Sequence, residues 1–199
     1  MKTIFMFLSL ILFSTLINNS FAFALESVLD EAGKKLRADS FYFILPDTIY
    51  APGQGGGLIR GLIGNDTCSL GVVQDPDQNK EGLPLRFYPF NAKKGVVRVS
   101  TDLNIQFGFT ESCNQYTVWK LEDNYFVGLG GVVGNLSPEF ISSWFKIEKY
   151  RYGYKLVYCP SVCSYCQVQC KDIGIVYENG KRRLALSDAP YQIKFRKAA

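Results

Sequence analysis

The sequence predicts an all-β fold, a barrel or a sandwich. About a dozen short runs of β-branched and aromatic residues recur along the chain at regular intervals, separated by turn residues. Several alternate apolar with polar residues, as in L-N-I-Q-F-G-F (103–109) and Y-Q-I-K-F (191–195). No window sustains the apolar spacing of an amphipathic helix. At 199 residues the chain is long enough for one domain with a sizeable core.

Taken in order, the chain opens on Met1-Lys2, a short basic start. Residues 3–17 are an almost unbroken apolar run, and residues 18–24 end in Ala22-Phe23-Ala24. That order is the pattern of a secretory signal with an A-x-A cleavage site. The run of about fifteen apolar residues is short for a bilayer span, which needs roughly 20. Cleavage is expected after Ala24. Residues 25–199 then form one exported domain with no membrane segment. The aromatic run 41–45 is stopped by Pro46-Asp47, and 51–57 (A-P-G-Q-G-G-G) reads as a loop. Strand-like runs follow at 58–63, 70–74, 85–90, 96–99 and 103–109. The set is completed by 116–121, 125–129, 144–150, 154–158, 173–177, 183–186 and 191–195. Asn179-Gly180 lies between two runs and marks a tight hairpin. Runs 42–45, 103–107 and 154–158 each open a third of the mature chain, a weak hint of threefold order.

The six cysteines are Cys68, Cys113, Cys159, Cys163, Cys166 and Cys170. The last four lie within twelve residues, spaced C-x3-C-x2-C-x3-C. Export and an even count favour three disulfides. A metal cage is disfavoured, because structural zinc ligands normally come as two separated pairs. Six cysteines allow fifteen pairings. Cys159 and Cys170 can face each other across a hairpin, and Cys163 and Cys166 can close an inner loop. That leaves Cys68 with Cys113.

Composition excludes several classes of function. The sequence contains no histidine, which removes Ser-His-Asp and Cys-His catalysis, histidine metal sites and a histidine pH switch. Loss of Lys2, the only charge in the signal, lowers the formal net charge from +4 to +3. The remaining basic residues are scattered, so no nucleic-acid partner is expected. Acidic residues are spread over loops and read as solvated surface charge. The glycine-rich stretch 128–134 misses G-x-G-x-x-G and reads as turn glycines. An enzyme is not expected, and neither a metal nor a cofactor. Asn65-Asp66-Thr67 and Asn135-Leu136-Ser137 are N-glycosylation sequons, the second weakened by Pro138.

The stretch best suited to meeting a partner is 82–99, G-L-P-L-R-F-Y-P-F-N-A-K-K-G-V-V-R-V. Pro84 and Pro89 restrain it, and residues 91–95 read as a polar turn exposing Lys93 and Lys94. A restrained loop that displays a lysine can mimic the substrate of a trypsin-type protease, whose pocket is acidic. On the residues alone, a solvated lysine turn without a partner is the simpler account.

Val28-Leu29-Asp30-Glu31-Ala32-Gly33-Lys34-Lys35-Leu36, followed after five residues by Tyr42-Phe43-Ile44, resembles the N-terminal signature of the plant Kunitz (soybean trypsin inhibitor) family. Further resemblance lies in Ser100-Thr101-Asp102-Leu103-Asn104-Ile105, Trp144-Phe145-Lys146-Ile147-Glu148, residues 154–160, Asp172-Ile173-Gly174-Ile175 and Arg183-Leu184-Ala185-Leu186-Ser187. The four-cysteine cluster is similar to that of the miraculin-like branch. The resemblance implies a β-trefoil of about twelve strands, a six-stranded barrel closed by three hairpins. It implies disulfides Cys68–Cys113, Cys159–Cys170 and Cys163–Cys166. It also implies inhibition of secreted serine endopeptidases by substrate-like binding of one loop, here Asn91, Ala92, Lys93, Lys94 and Gly95. Alignment on 103–107 puts the specificity position at Lys93, with Lys94 after the mimicked bond; counting from Gly82 gives Ala92. Lys93 is preferred because its charge suits a trypsin-like pocket. Inhibitory members carry an asparagine behind this loop, where this chain has Ala38. Gly95 also departs from the stiff loops of strong inhibitors. The alternatives are a miraculin-like defence or storage protein without serine protease inhibition, or a binder of a cysteine protease, subtilisin, amylase or glycan through another loop. The protein is expected to be secreted to the cell wall or a vacuole, and to be a monomer.

Overall fold

The computed structural model describes residues 25–47, 55–64, 68–91, 95–108, 117–123 and 125–198. The expected signal segment, residues 51–54 of the glycine loop, Asn65, Ala92, Lys93, Lys94 and Cys113 lie outside the described residues.

Twelve strands follow one another along the chain. They are β1 (Tyr42–Pro46), β2 (Leu58–Leu62), β3 (Leu70–Gln74), β4 (Leu85–Pro89), β5 (Leu103–Phe107) and β6 (Trp119–Glu122). The rest are β7 (Phe126–Leu129), β8 (Lys146–Tyr150), β9 (Gly153–Tyr158), β10 (Lys171–Glu178), β11 (Lys181–Ser187) and β12 (Ile193–Lys197). Six of them form a ring. β1 pairs with β4 and β12, β4 with β5, β9 with β12, and β8 with β9. The ring closes between β5 and the residue before β8, where Leu103 and Phe145 exchange two backbone hydrogen bonds of 2.9 Å. The other six make the hairpins β2–β3, β6–β7 and β10–β11. Their second strands meet pairwise at Gly71–Gly128, Phe126–Ala185 and Val73–Arg183, a triangle that caps one end of the ring. This is a β-trefoil, and the openings at 42–45, 103–107 and 154–158 fall on β1, β5 and β9.

Period-2 alternation explains the filling. On β5, Leu103, Ile105 and Phe107 point into the core, as do Tyr191, Ile193 and Phe195 at the C-terminal end. Phe87 and Phe195 meet edge to face at 5.6 Å, and Trp119 and Phe145 do so at 6.2 Å, the arrangement ring quadrupoles favour. In the β10–β11 turn, Asn179 (φ 49°) and Gly180 (φ 74°) both adopt the left-handed conformation that a tight hairpin demands.

One expectation needs correction. The run 96–99 is not a ladder strand. Its partners are the irregular N-terminal residues: Val28 N donates to Val97 O, Val97 N to Leu36 O, and Leu36 N to Val28 O. Val28, Leu36 and Val97 are fully buried, so this interleaved segment packs into the core like a strand without belonging to a regular one. Among the described residues, Pro138–Ser143 forms a short 3₁₀ helix, started by a proline that needs no partner for a backbone N–H.

The cysteine cluster is stapled as expected. Cys159–Cys170 (Cα–Cα 4.3 Å) and Cys163–Cys166 (5.5 Å) are nested bridges between β9 and β10. Cys68 is disulfide-bonded as well, while Cys113, its expected partner, lies outside the described residues. No free cysteine occurs among the described residues.

Candidate functional site

Of the candidate loop, Asn91 and Gly95 are described, and Asn91 is exposed. Both flanks of the loop are tied to the body. On the N-terminal side, β4 leads into Phe90, whose N–H donates to Asp102 O at 2.8 Å. The Phe90 ring meets Trp144 edge to face at 6.1 Å. One residue pair deeper, the Tyr88 hydroxyl donates to Gln106 Oε1 at 2.7 Å, across the β4–β5 ladder. On the C-terminal side, Gly95 O accepts from Ala38 N at 3.0 Å, and Val96 and Val97 are buried immediately after. Arg98 then bridges to Ser27, and its guanidinium donates to Leu25 O at 2.8 Å. The described flanks, Phe90 and Gly95, are thus fixed to the barrel and to the N-terminal segment.

Ala38 thus stands directly behind the loop, where related inhibitors were expected to place an amide. It contributes its backbone N–H in place of a side chain. Gly95 has φ +62°, and a Cβ there would come within 3.2 Å of Arg37 Nη2, so the guanidinium packs over the glycine. The left-handed φ and the close arginine both favour glycine at this position.

Beneath the N-terminal flank lies a cleft of about 370 Å³, lined by Ala38, Pro89, Phe90, Val133, Leu136 and Trp144 among others. Its wall is the connection from β7 to the 3₁₀ helix, which includes the glycine-rich stretch. Asn104 pins that wall from inside β5: it is fully buried, its Oδ1 accepts from Gly134 N at 2.8 Å, and its Nδ2 donates to Ser143 O at 2.8 Å. The Trp144 indole donates to Asn135 O at 2.8 Å, and Gly134 takes φ +73° to make the bend. Gly130 and Gly134 take positive φ in the turns that their spacing suggested, whereas Gly128 lies within β7 and pairs with Gly71. The sequon residue Asn135 accepts from Ser137 N at 2.9 Å in a local turn. Sequence reasoning missed Asn104, Val133 and Leu136 as neighbours of the loop. Two apolar residues in an otherwise turn-like stretch were the available signal.

Asp102 joins the loop to the cysteine cluster. Its carbonyl holds Phe90, while its buried carboxylate accepts from Ser161 N at 3.0 Å and Ser161 Oγ at 2.5 Å. Lys146 Nζ lies 3.9 Å away. Among the described residues, no group of three or more acidic or cysteine side chains is placed to hold a metal ion. No helix among them is long and apolar enough to cross a membrane.

The sequence matches the family model described as trypsin and protease inhibitor, Kunitz legume type, over residues 28–197. It is 46% identical over 184 residues to miraculin from Synsepalum dulcificum, covering 85% of this chain and 82% of that protein. Kunitz trypsin inhibitor 5 from Arabidopsis thaliana is 39% identical over 181 residues, with 88% and 87% covered. The solved structure of the Kunitz-type cysteine protease inhibitor from potato superposes with a TM-score of 0.76 at 36% identity, covering 88% of this chain and 99% of that one.

Proposed function

Since the chain belongs to the Kunitz legume family of trypsin and protease inhibitors, we propose that it is a secreted plant protease inhibitor, not an enzyme, that binds serine endopeptidases as a substrate mimic. Residues 91–95 form the contact, Lys93 fills an acidic specificity pocket, and Lys94 follows the mimicked bond. The protein acts as a monomer after removal of residues 1–24, in the cell wall or a vacuole. The observation that carries the reading is the double anchoring of the loop, by Phe90 N to Asp102 O on one side and Ala38 N to Gly95 O on the other. Ends fixed before binding reduce the ordering cost of a substrate-like segment.

The test is inhibition of trypsin and chymotrypsin by the mature protein. Trypsin is expected to be inhibited, and Lys93→Ala to weaken that inhibition by at least about a hundredfold, as for a buried charged anchor. No trypsin inhibition at micromolar concentration would sink the reading. A second reading is supported by Ala38 and by the potato relative named as a cysteine protease inhibitor. In it, the target is a cysteine protease met through another loop, and papain inhibition that survives Lys93→Ala would identify it.

A further inference from the structure

We propose that the apolar cleft beside the loop is a second contact area for the same protease, receiving an apolar side chain from the enzyme surface next to its substrate groove. The proposal rests on the serine protease reading above.

Ten large apolar side chains are exposed among the described residues, and three of them, Phe90, Val133 and Leu136, surround this one cleft. Clustered exposure of this kind marks an interaction site, unlike single exposed residues. No charged side chain lines the cleft among the described residues. The polar side chains that line it are already paired: the Asn104 amide with Gly134 and Ser143, the Tyr88 hydroxyl with Gln106 and the Trp144 indole with Asn135. An apolar occupant therefore loses no polar contact on entering.

The occupant is the protease, because the cleft is continuous with the loop. Phe90 immediately precedes Asn91, and Ala38, which lines the cleft, holds Gly95. A protease seated on residues 91–95 covers this ground as well. The loop is also too small to act alone: stable inhibitor interfaces take roughly 20–30 residues a side, and a five-residue turn leaves most of that to its surroundings. Aromatic and aliphatic residues in a desolvated pocket are where binding energy concentrates. The rigid wall helps, since Asn104 and the Trp144 indole fix it before binding.

The experiment uses mature protein and trypsin. Val133→Ser/Leu136→Ser changes two side chains that are 37% and 44% exposed and remote in sequence from the loop, so its thermal midpoint should match wild type. The inhibition constant should rise roughly tenfold or more, with the change mainly in the dissociation rate. Phe90→Ala should act in the same direction. The chief control is Lys93→Ala. If Lys93→Ala removes inhibition while the double variant stays within about twofold of wild type, the cleft proposal is overturned and the loop reading stands. If wild type does not inhibit trypsin, both fall. Sedimentation gives a further readout: a dimer that the double variant dissolves, with inhibition unchanged, would assign the cleft to a second copy of the chain and overturn the proposal.

Discussion

The loop at 91–95 and the stapled segment Cys159–Cys170 are both connections that leave the barrel between strands, yet they are held by different means. The stapled segment carries two nested disulfides and a serine clamped by a buried carboxylate. The flanks of the loop are fixed by single backbone hydrogen bonds and by buried valines. These two disulfides thus belong to another connection, and the described flanks of the proposed contact rely on the barrel. The cysteines draw the eye in the sequence, but in the fold they secure a corner. The flanks of a plain lysine turn are held by β4, β5 and the N-terminal segment.

The largest effect that separates the two regions should come from removing the outer staple. Cys159→Ala/Cys170→Ala should cost about 3 kcal/mol in denaturant unfolding, the chain-entropy value for a loop of this length. Trypsin inhibition by the folded variant should stay within about threefold of wild type. A parallel loss of inhibition would mean that Asp102 transmits the change, and the separation of the two regions would fail. Gly95→Ala should do the reverse. A left-handed φ costs an ordinary residue about 1–2 kcal/mol, and the new Cβ meets Arg37. Inhibition should fall more than the modest loss of stability implies, as read from the inhibition constant against the unfolding midpoint.

The smallest effect concerns neither region and sets a common background. Glu31, whose backbone N–H is bonded to Phe195 O, is hydrogen-bonded by Arg196, which holds its carboxyl below the ordinary value of 4.5. A lowered folded-state pKa contributes stability above the ordinary value and loses it as pH falls through the folded value. Both partners are about one-third or more exposed, so the contribution is a few tenths of a kcal/mol. Unfolding midpoints from pH 6 to pH 3 should show only this small share vanish in Glu31→Gln, with inhibition unaffected at neutral pH.

Most strands were legible because local alternation decides them. Leu103, Ile105 and Phe107 announced their inward face, and Asn179-Gly180 announced its turn. Asn104 was not legible: alternation sends it outward, but a distant wall at 134 and 143 offers its amide two partners, and it is buried. The run 96–99 misled for a related reason. Its apolar residues signal burial, and burial against an irregular N-terminal segment looks the same in sequence as burial in a ladder. Ring closure by Leu103 with Phe145 and the meeting of β1 with β12 join residues far apart in the chain, which no local pattern encodes. For the site, the lysine pair and the restraining prolines could be read directly. The support behind them could not, because Ala38 acts through its backbone and Gly95 through the absence of a side chain.

The closure at Leu103 and Phe145 has a consequence for how this protein can change. A ring of strands with every neighbour satisfied has no bare rim to recruit foreign chains. Its connecting loops can therefore lengthen, shorten or exchange their tips without opening the sheet beneath them. On the proposed reading of the site, retargeting needs only local edits: a new residue at position 93 and a reshaped cleft at 133 and 136, on an unaltered chassis. That division of labour separates the residues that fold the chain from those proposed to meet a partner.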